Sequence, residues 1–175
     1  MSESLKEWIK DILIAVIVAI VILQFVMPVI VREHSMENTL HENDYVFVSR
    51  KAYKWFGEPQ YGDIIVFKSN LLMDNGTAKL LIKRVIGVPG DTISIHNGTV
   101  FLNGEALIEE YTKDGYTNTE MNEIVVPENS LFVMGDNRQN SADSRSESVG
   151  CVPMEKVSGK VVIRLFPFNQ FGKID

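Results

Sequence analysis

The chain has a single cysteine, Cys151, which excludes an internal disulfide framework. Histidine is nearly as scarce. His34, His41 and His96 show no metal-ligand spacing, alone or with that cysteine, so neither a metal nor another cofactor is expected. There is no cluster of lysine and arginine, and the net charge is −6, which argues against nucleic acid as the main partner. Repeats and low-complexity tracts are missing too, so nothing divides the 175 residues into several domains. Apolar content of 45% with 23% charged residues is ordinary for a folded protein.

One long apolar run stands out. From Ile12 to Val31 only Gln24 and Pro28 interrupt it. At about 1.5 Å per residue, a helix of that length crosses a hydrocarbon core of roughly 30 Å. A cleaved targeting peptide would want a shorter apolar core and small residues at its exit, and Met27-Pro28-Val29-Ile30-Val31 offers none. A buried helix of a soluble domain would show a polar stripe, absent here. The segment therefore reads as an uncleaved membrane anchor, residues 12–31, after a polar N-terminus, residues 1–11. Charges flank it on both sides (Lys6 and Lys10 before, Arg32 after), so they orient it only weakly.

Beyond the anchor, residues 32–175 change texture to short β-type runs between turns. Strands are expected at Tyr45–Ser49, Asp63–Phe67, Lys79–Ile86, Thr92–His96, Thr99–Leu102, Glu123–Val126, Leu131–Met134 and Val157–Leu165. Asn97-Gly98 is a strong hairpin signal and Asn103-Gly104 a second turn. Residues 109–122 read as a polar excursion. The fold class is mainly β: one antiparallel β domain with few or no further helices, carried on one N-terminal helix. The aromatics Trp55, Phe56, Phe166, Phe168 and Phe171 either close the β core or dip into the lipid interface.

The stretch Lys79-Leu80-Leu81-Ile82-Lys83-Arg84-Val85-Ile86 is apolar on both faces apart from one cation each, the pattern of a strand covered on both sides. Burial lowers a lysine's pKa, which turns Lys83 from an inert ammonium into a proton acceptor. The bland alternative is a lysine snorkelling to water along apolar surface. Two other elements bear chemistry. Ser35-Met36 lies between the anchor and the first strand. Gly135-Asp136-Asn137-Arg138-Gln139-Asn140-Ser141-Ala142-Asp143-Ser144-Arg145 follows an apolar strand, with a solvated, ion-paired loop as its bland reading. Serine is a poor nucleophile until a base takes its proton, and a dry, neutral lysine serves without any histidine. A rival triad of Ser35, His41 and Asp44 is less favoured, His34 points away from its neighbour Ser35, and nothing marks Cys151 as an activated thiol.

The anchor, Ser35-Met36, the Lys83-Arg84-Val85-Ile86-Gly87-Val88-Pro89-Gly90-Asp91 string, and Gly135-Asp136-Asn137-Arg138 with Ser141, Asp143, Ser144 and Arg145 together resemble type I signal peptidases. The order and spacing match the short, single-anchor forms typical of Gram-positive bacteria, over essentially the whole chain. This resemblance implies a signal-peptidase-like β fold with a catalytic domain outside the cytoplasm and the N-terminus inside. It implies Ser35 as nucleophile and Lys83 as general base, with the Ser35 N–H helping to hold the oxyanion. Ser141 would orient the Lys83 amine, an Asp143–Arg145 ion pair would fix the loop, and Asp136 and Arg84 would support the site. Met36 and Ile82 would line a shallow apolar pocket for small residues, with substrate added as a strand beside the residues preceding Lys83, Leu81 among them. The implied substrates are secretory preproteins with Ala-x-Ala-type signal peptides, and the implied setting is membrane lipid.

Two residues depart from the family pattern. Asn38 stands where a proline is usual, and Glu33 stands two residues before the nucleophile, where many members have Ser or Gly. An ionised carboxylate donates no hydrogen bond, so the second oxyanion donor stays open. Two rival functions remain: an inactive anchored β domain that binds exported partners, and a self-cleaving Ser/Lys regulator. The second has no use for an anchor and would need an Ala-Gly or Cys-Gly segment before Ser35, which is absent.

Overall fold

The computed structural model describes residues 3–55 and 57–174. Helix α1 spans Glu3–Phe25, so it starts within the expected polar N-terminus and ends before Val31. Both shifts have local causes. Glu7 precedes Lys10 by three residues, which sets opposite charges side by side on a helix. At the other end Pro28 lacks the N–H that a helix requires and biases Met27 towards extended backbone. Val26–Ile30 instead forms strand β1, antiparallel to β2 (Tyr45–Ser49), with Pro28 opposite Phe47. β1 is an edge strand, where a missing donor costs least. Within α1, Leu5–Phe25 has a mean hydropathy of 2.3 and is long and apolar enough to cross a membrane.

The rest is antiparallel β, as the sequence predicts. A one-turn helix α2 (Ala52–Trp55) follows β2, then come β3 (Ile64–Leu72) and β4 (Ala78–Gly87). Strands β5 (Thr92–His96), β6 (Thr99–Leu102), β7 (Glu105–Ala106) and β8 (Met121–Val125) form a small sheet in the order β7-β6-β5-β8. The main sheet adds β9 (Ser130–Met134), β10 (Val152–Pro153) and β11 (Val157–Phe166) in the order β1-β2-β11-β3-β4-β9-β10, with β12 (Gly172–Lys173) paired to β11. The β5–β6 hairpin turns through Asn97 (φ 50°) and Gly98 (φ 80°), the two positive values a type I′ turn demands.

Strand β4 is the hub. On one side it pairs with β3, Ile65 opposite Lys83 and Val66 opposite Ile82. On the other it pairs with β9 only from Arg84 onward, so among the described residues the edge of residues 78–83 has no partner strand. Leu81 and Val85 pack with Ile65, Phe67, Leu131 and Val133, while Ile86 joins a separate cluster with Ile93 and Phe132. The strand is thus apolar above and below, and its two central cations lie inside the protein.

Candidate active site

The chain leaves β1 through Val31, whose N–H donates to Asp44 O at 2.9 Å, and enters a turn that returns at Asp44. Met36 and Leu40 are buried and hold this turn against the core beside Val31, Val46 and Val66. Its outer side is tied to the loop after β9: Asn137 N–H donates to Ser35 O at 3.1 Å and Asn137 Nδ2 to His34 O at 3.0 Å. Ser35 is therefore presented by a turn braced on both sides, not by a free tether.

Lys83 reaches that turn from β4. Its side chain is 1% exposed, and Nζ donates to Ser35 Oγ at 2.8 Å and to Ile82 O at 2.9 Å. Burial pulls its pKa from 10.5 down to about 8, against a smaller upward pull from Asp143 and Glu33. The arrangement offers a hydroxyl and an amine in contact, with a sizeable neutral fraction of the amine near pH 8. Snorkelling to water is the reading that this position contradicts.

Two buried ion pairs frame the contact. Arg84 donates through Nε to Asp136 Oδ1 and through Nη2 to Asp136 Oδ2, both at 2.9 Å, and lies 4.0 Å over the Tyr111 ring. Thr39 Oγ1 donates to the same carboxylate at 2.5 Å, which ties the Ser35 turn to β4. Arg145 grips Asp143 through Nε and Nη2 at 2.8 Å each, and the Gly135 N–H adds a bond to Asp143 at 3.0 Å. Burial pushes the Asp143 carboxyl up, but Arg145 and the Gly135 N–H outweigh it and hold it below the usual range. The solvated-loop reading of residues 134–145 thus fails. Each charge there has a fixed partner out of water.

Not every expected contact is made. Ser141 does not hydrogen-bond the Lys83 amine; its Oγ is buried and has no hydrogen-bond partner among the described residues. It packs against Gly135, where a Cβ would fall 2.3 Å from Ser141 Oγ and 2.4 Å from Ser35 O. The Leu81 side chain is 2% exposed in the core, so strand alternation turns it away from the groove, which Leu80 lines instead. The histidine arrangement is not assembled: His34 Nδ1 lies 2.7 Å from Glu37 Oε1, while Asp44 accepts the His41 backbone N–H and faces Arg164. The sequence reading gave no role to Arg138, Glu109 or Thr117. Arg138 is buried, donates to Glu109 and Thr117, and donates through Nε to Gly135 O, so the excursion at 109–122 clamps the loop after β9. Arg138 and Asn137 sat in a recognisable motif; Glu109, Tyr111 and Thr117 carried no local signal.

Beside Ser35 opens a mostly apolar groove of about 630 Å³. One wall continues β1 through Val29–Glu33, the other is the free edge of β4 through Ala78–Ile82, and Val66 and Lys68 also line it. Met36 and Ile82 lie at the Ser35 end.

The profile described as "Signal peptidase, peptidase S26" matches residues 5–166. The chain belongs to this family. It is 36% identical to the signal peptidase I of Bacillus licheniformis, with 99% of this chain and 95% of that protein aligned. It is also 36% identical to signal peptidase I S of Bacillus subtilis (strain 168), covering 98% and 95%. A signal peptidase I crystal structure from Enterococcus faecalis V583 is 33% identical and covers 59% of this chain and 96% of that one; its TM-score of 0.48 is too loose to add weight. The chain is thus an enzyme of the signal peptidase I type. Of its two departures, Asn38 uses Nδ2 to reach Thr112 O at 3.4 Å, and Glu33 turns to Lys79 in an ion pair.

Proposed function

We propose that this signal peptidase family member cuts exported preproteins with Ser35 as nucleophile and Lys83 as general base. The observation that carries the reading is the 2.8 Å contact between Lys83 Nζ, itself buried, and Ser35 Oγ at the groove. Neutral Lys83 takes the Ser35 proton as Oγ attacks the scissile carbonyl, and the tetrahedral oxyanion meets the Ser35 N–H. The ammonium then protonates the leaving amine as the C–N bond breaks. Lys83, neutral again, takes a proton from water as its oxygen attacks the ester, then returns that proton to Ser35 Oγ as the acyl C–O bond breaks, which frees the acid product and Ser35. Throughout, Ile82 O holds the amine in place.

Substrate enters as an extended strand between two free edges, β1 and β4, whose unpaired backbone groups supply the hydrogen bonds. Both strands run towards Ser35 and Lys83, so a chain emerging alongside α1 lies parallel to both. Met36 and Ile82 at the cutting end leave room for small side chains, which suits Ala-x-Ala sites. The single-pass anchor is supported by α1, and the placing of the β domain on the outer face by the family resemblance. Trp55 packs tilted against Phe25 at the end of α1, ring centroids 5.1 Å apart, and beside the far end of β1 Tyr45, Phe166 and Phe168 form an exposed edge-to-face series, a surface suited to lipid; Phe56 lies outside the described residues. The test is a purified preprotein with an Ala-x-Ala site, the cut located by mass spectrometry. Wild-type protein cuts after the second alanine and Ser35→Ala does not; equal cutting by both rules the reading out.

A further inference from the structure

The groove is bridged at its rim. Glu33, on the wall that continues β1, is ion-paired with Lys79 on the β4 wall, and both side chains are well exposed (42% and 38%), so the pair stands over the channel rather than in the core. It lies two residues from the nucleophile on one side and four from the general base on the other. A strand added between two edges needs about 4.8 Å on each flank and projects side chains alternately up and down. Those side chains must pass where the bridge stands. We infer that the Glu33–Lys79 pair is a latch across the groove, which a substrate strand opens on the way to Ser35, so that the pair lowers affinity for every substrate that does not replace it. This rests on the groove being the substrate site, as proposed above.

An exposed ion pair shifts an equilibrium by at most about five-fold, and salt weakens it. The test therefore reads binding of an uncharged Ala-x-Ala peptide to full-length protein in detergent, in a Ser35→Ala background where no cleavage confuses the signal. Glu33→Gln and Lys79→Gln should each tighten Kd about two- to five-fold, with the double variant no tighter than either single one. Glu33→Asp keeps the charge but loses reach, and should tighten binding as Glu33→Gln does. Raising salt should tighten the parent and leave the variants unmoved. Weaker or unchanged binding in either single variant, or additive gains in the double, would overturn the latch. An effect through the charge of Lys83 would instead move the two variants in opposite directions. Glu33, with Asp143 and Asp136, holds that amine's pKa up, whereas Lys79 pushes it down. Failure of the wild type to cut any peptide would sink the proteolytic reading while this binding assay still decided the latch.

Discussion

Keeping a lysine at 1% exposure is costly, and the cost has a sign that experiment can read. Lys83 titrates at about 8 folded and near 10.5 unfolded. Below pH 8 both states hold the proton, and the folded state carries a penalty of about 3 kcal/mol. Between pH 8 and 10.5 only the unfolded state keeps it, so that penalty is relieved as pH rises. Lys83→Met should therefore abolish cleavage yet raise the Tm at pH 7 by several degrees, with the gain fading by about pH 10.5. Calorimetry across that range decides it; a Tm that falls at pH 7 would mean the buried amine stabilises the fold. Ser35→Ala should lose activity by at least about a thousand-fold while leaving the Tm within a degree or two. At this scale the sequence was legible where a charge stood in an apolar strand, as at Lys83. For Ser141 the resemblance implied a bond to the Lys83 amine that is not made, because a hydroxyl's partner depends on backbone tens of residues away.

Among the elements, the loop after β9 determines whether Ser35 and Lys83 meet. Gly135 has no side chain because none fits: a Cβ would strike the Ser35 carbonyl and Ser141. Gly135→Ala must push the Ser35 backbone aside, and a shift near 1 Å costs on the order of a hundred-fold in kcat. Steady-state kinetics on a folded variant checks this, and wild-type kcat would refute the bracing role. Arg145→Met leaves the Asp143 carboxylate buried without its partner and should cost about 3–5 kcal/mol in denaturant unfolding at pH 7. Because Asp143 is held below its ordinary pKa, its contribution is present above about pH 4 and is lost as acid titrates the folded carboxylate, so the deficit should shrink in acid. Alternation and turn residues placed most strands correctly, and Tyr45–Ser49, Thr92–His96 and Thr99–Leu102 match to the residue. The two-residue strands β7, β10 and β12 were invisible, being too short to show a period. β1 was hidden in the apolar run, where Pro28 was read as an interruption of a helix rather than its end.

For the whole molecule, the sequence separated an apolar helix from a β domain but could not show how polar residues 109–122 fold back to clamp the loop after β9 through Arg138 and Glu109. Such long-range pairs leave no periodic trace. If α1 anchors the enzyme, the full chain should stay in the membrane pellet after alkaline carbonate washing, and release into the wash would contradict the anchor. The proposed chemistry needs, above all, an amine kept dry enough to act as a base beside a hydroxyl. The pH profile of kcat/KM on an uncharged Ala-x-Ala peptide reads that amine's protonation in the working enzyme. Activity should rise through an ionisation near pH 8. A flat profile from pH 7 to about 9.5, or one governed by a group titrating below neutrality, would contradict it.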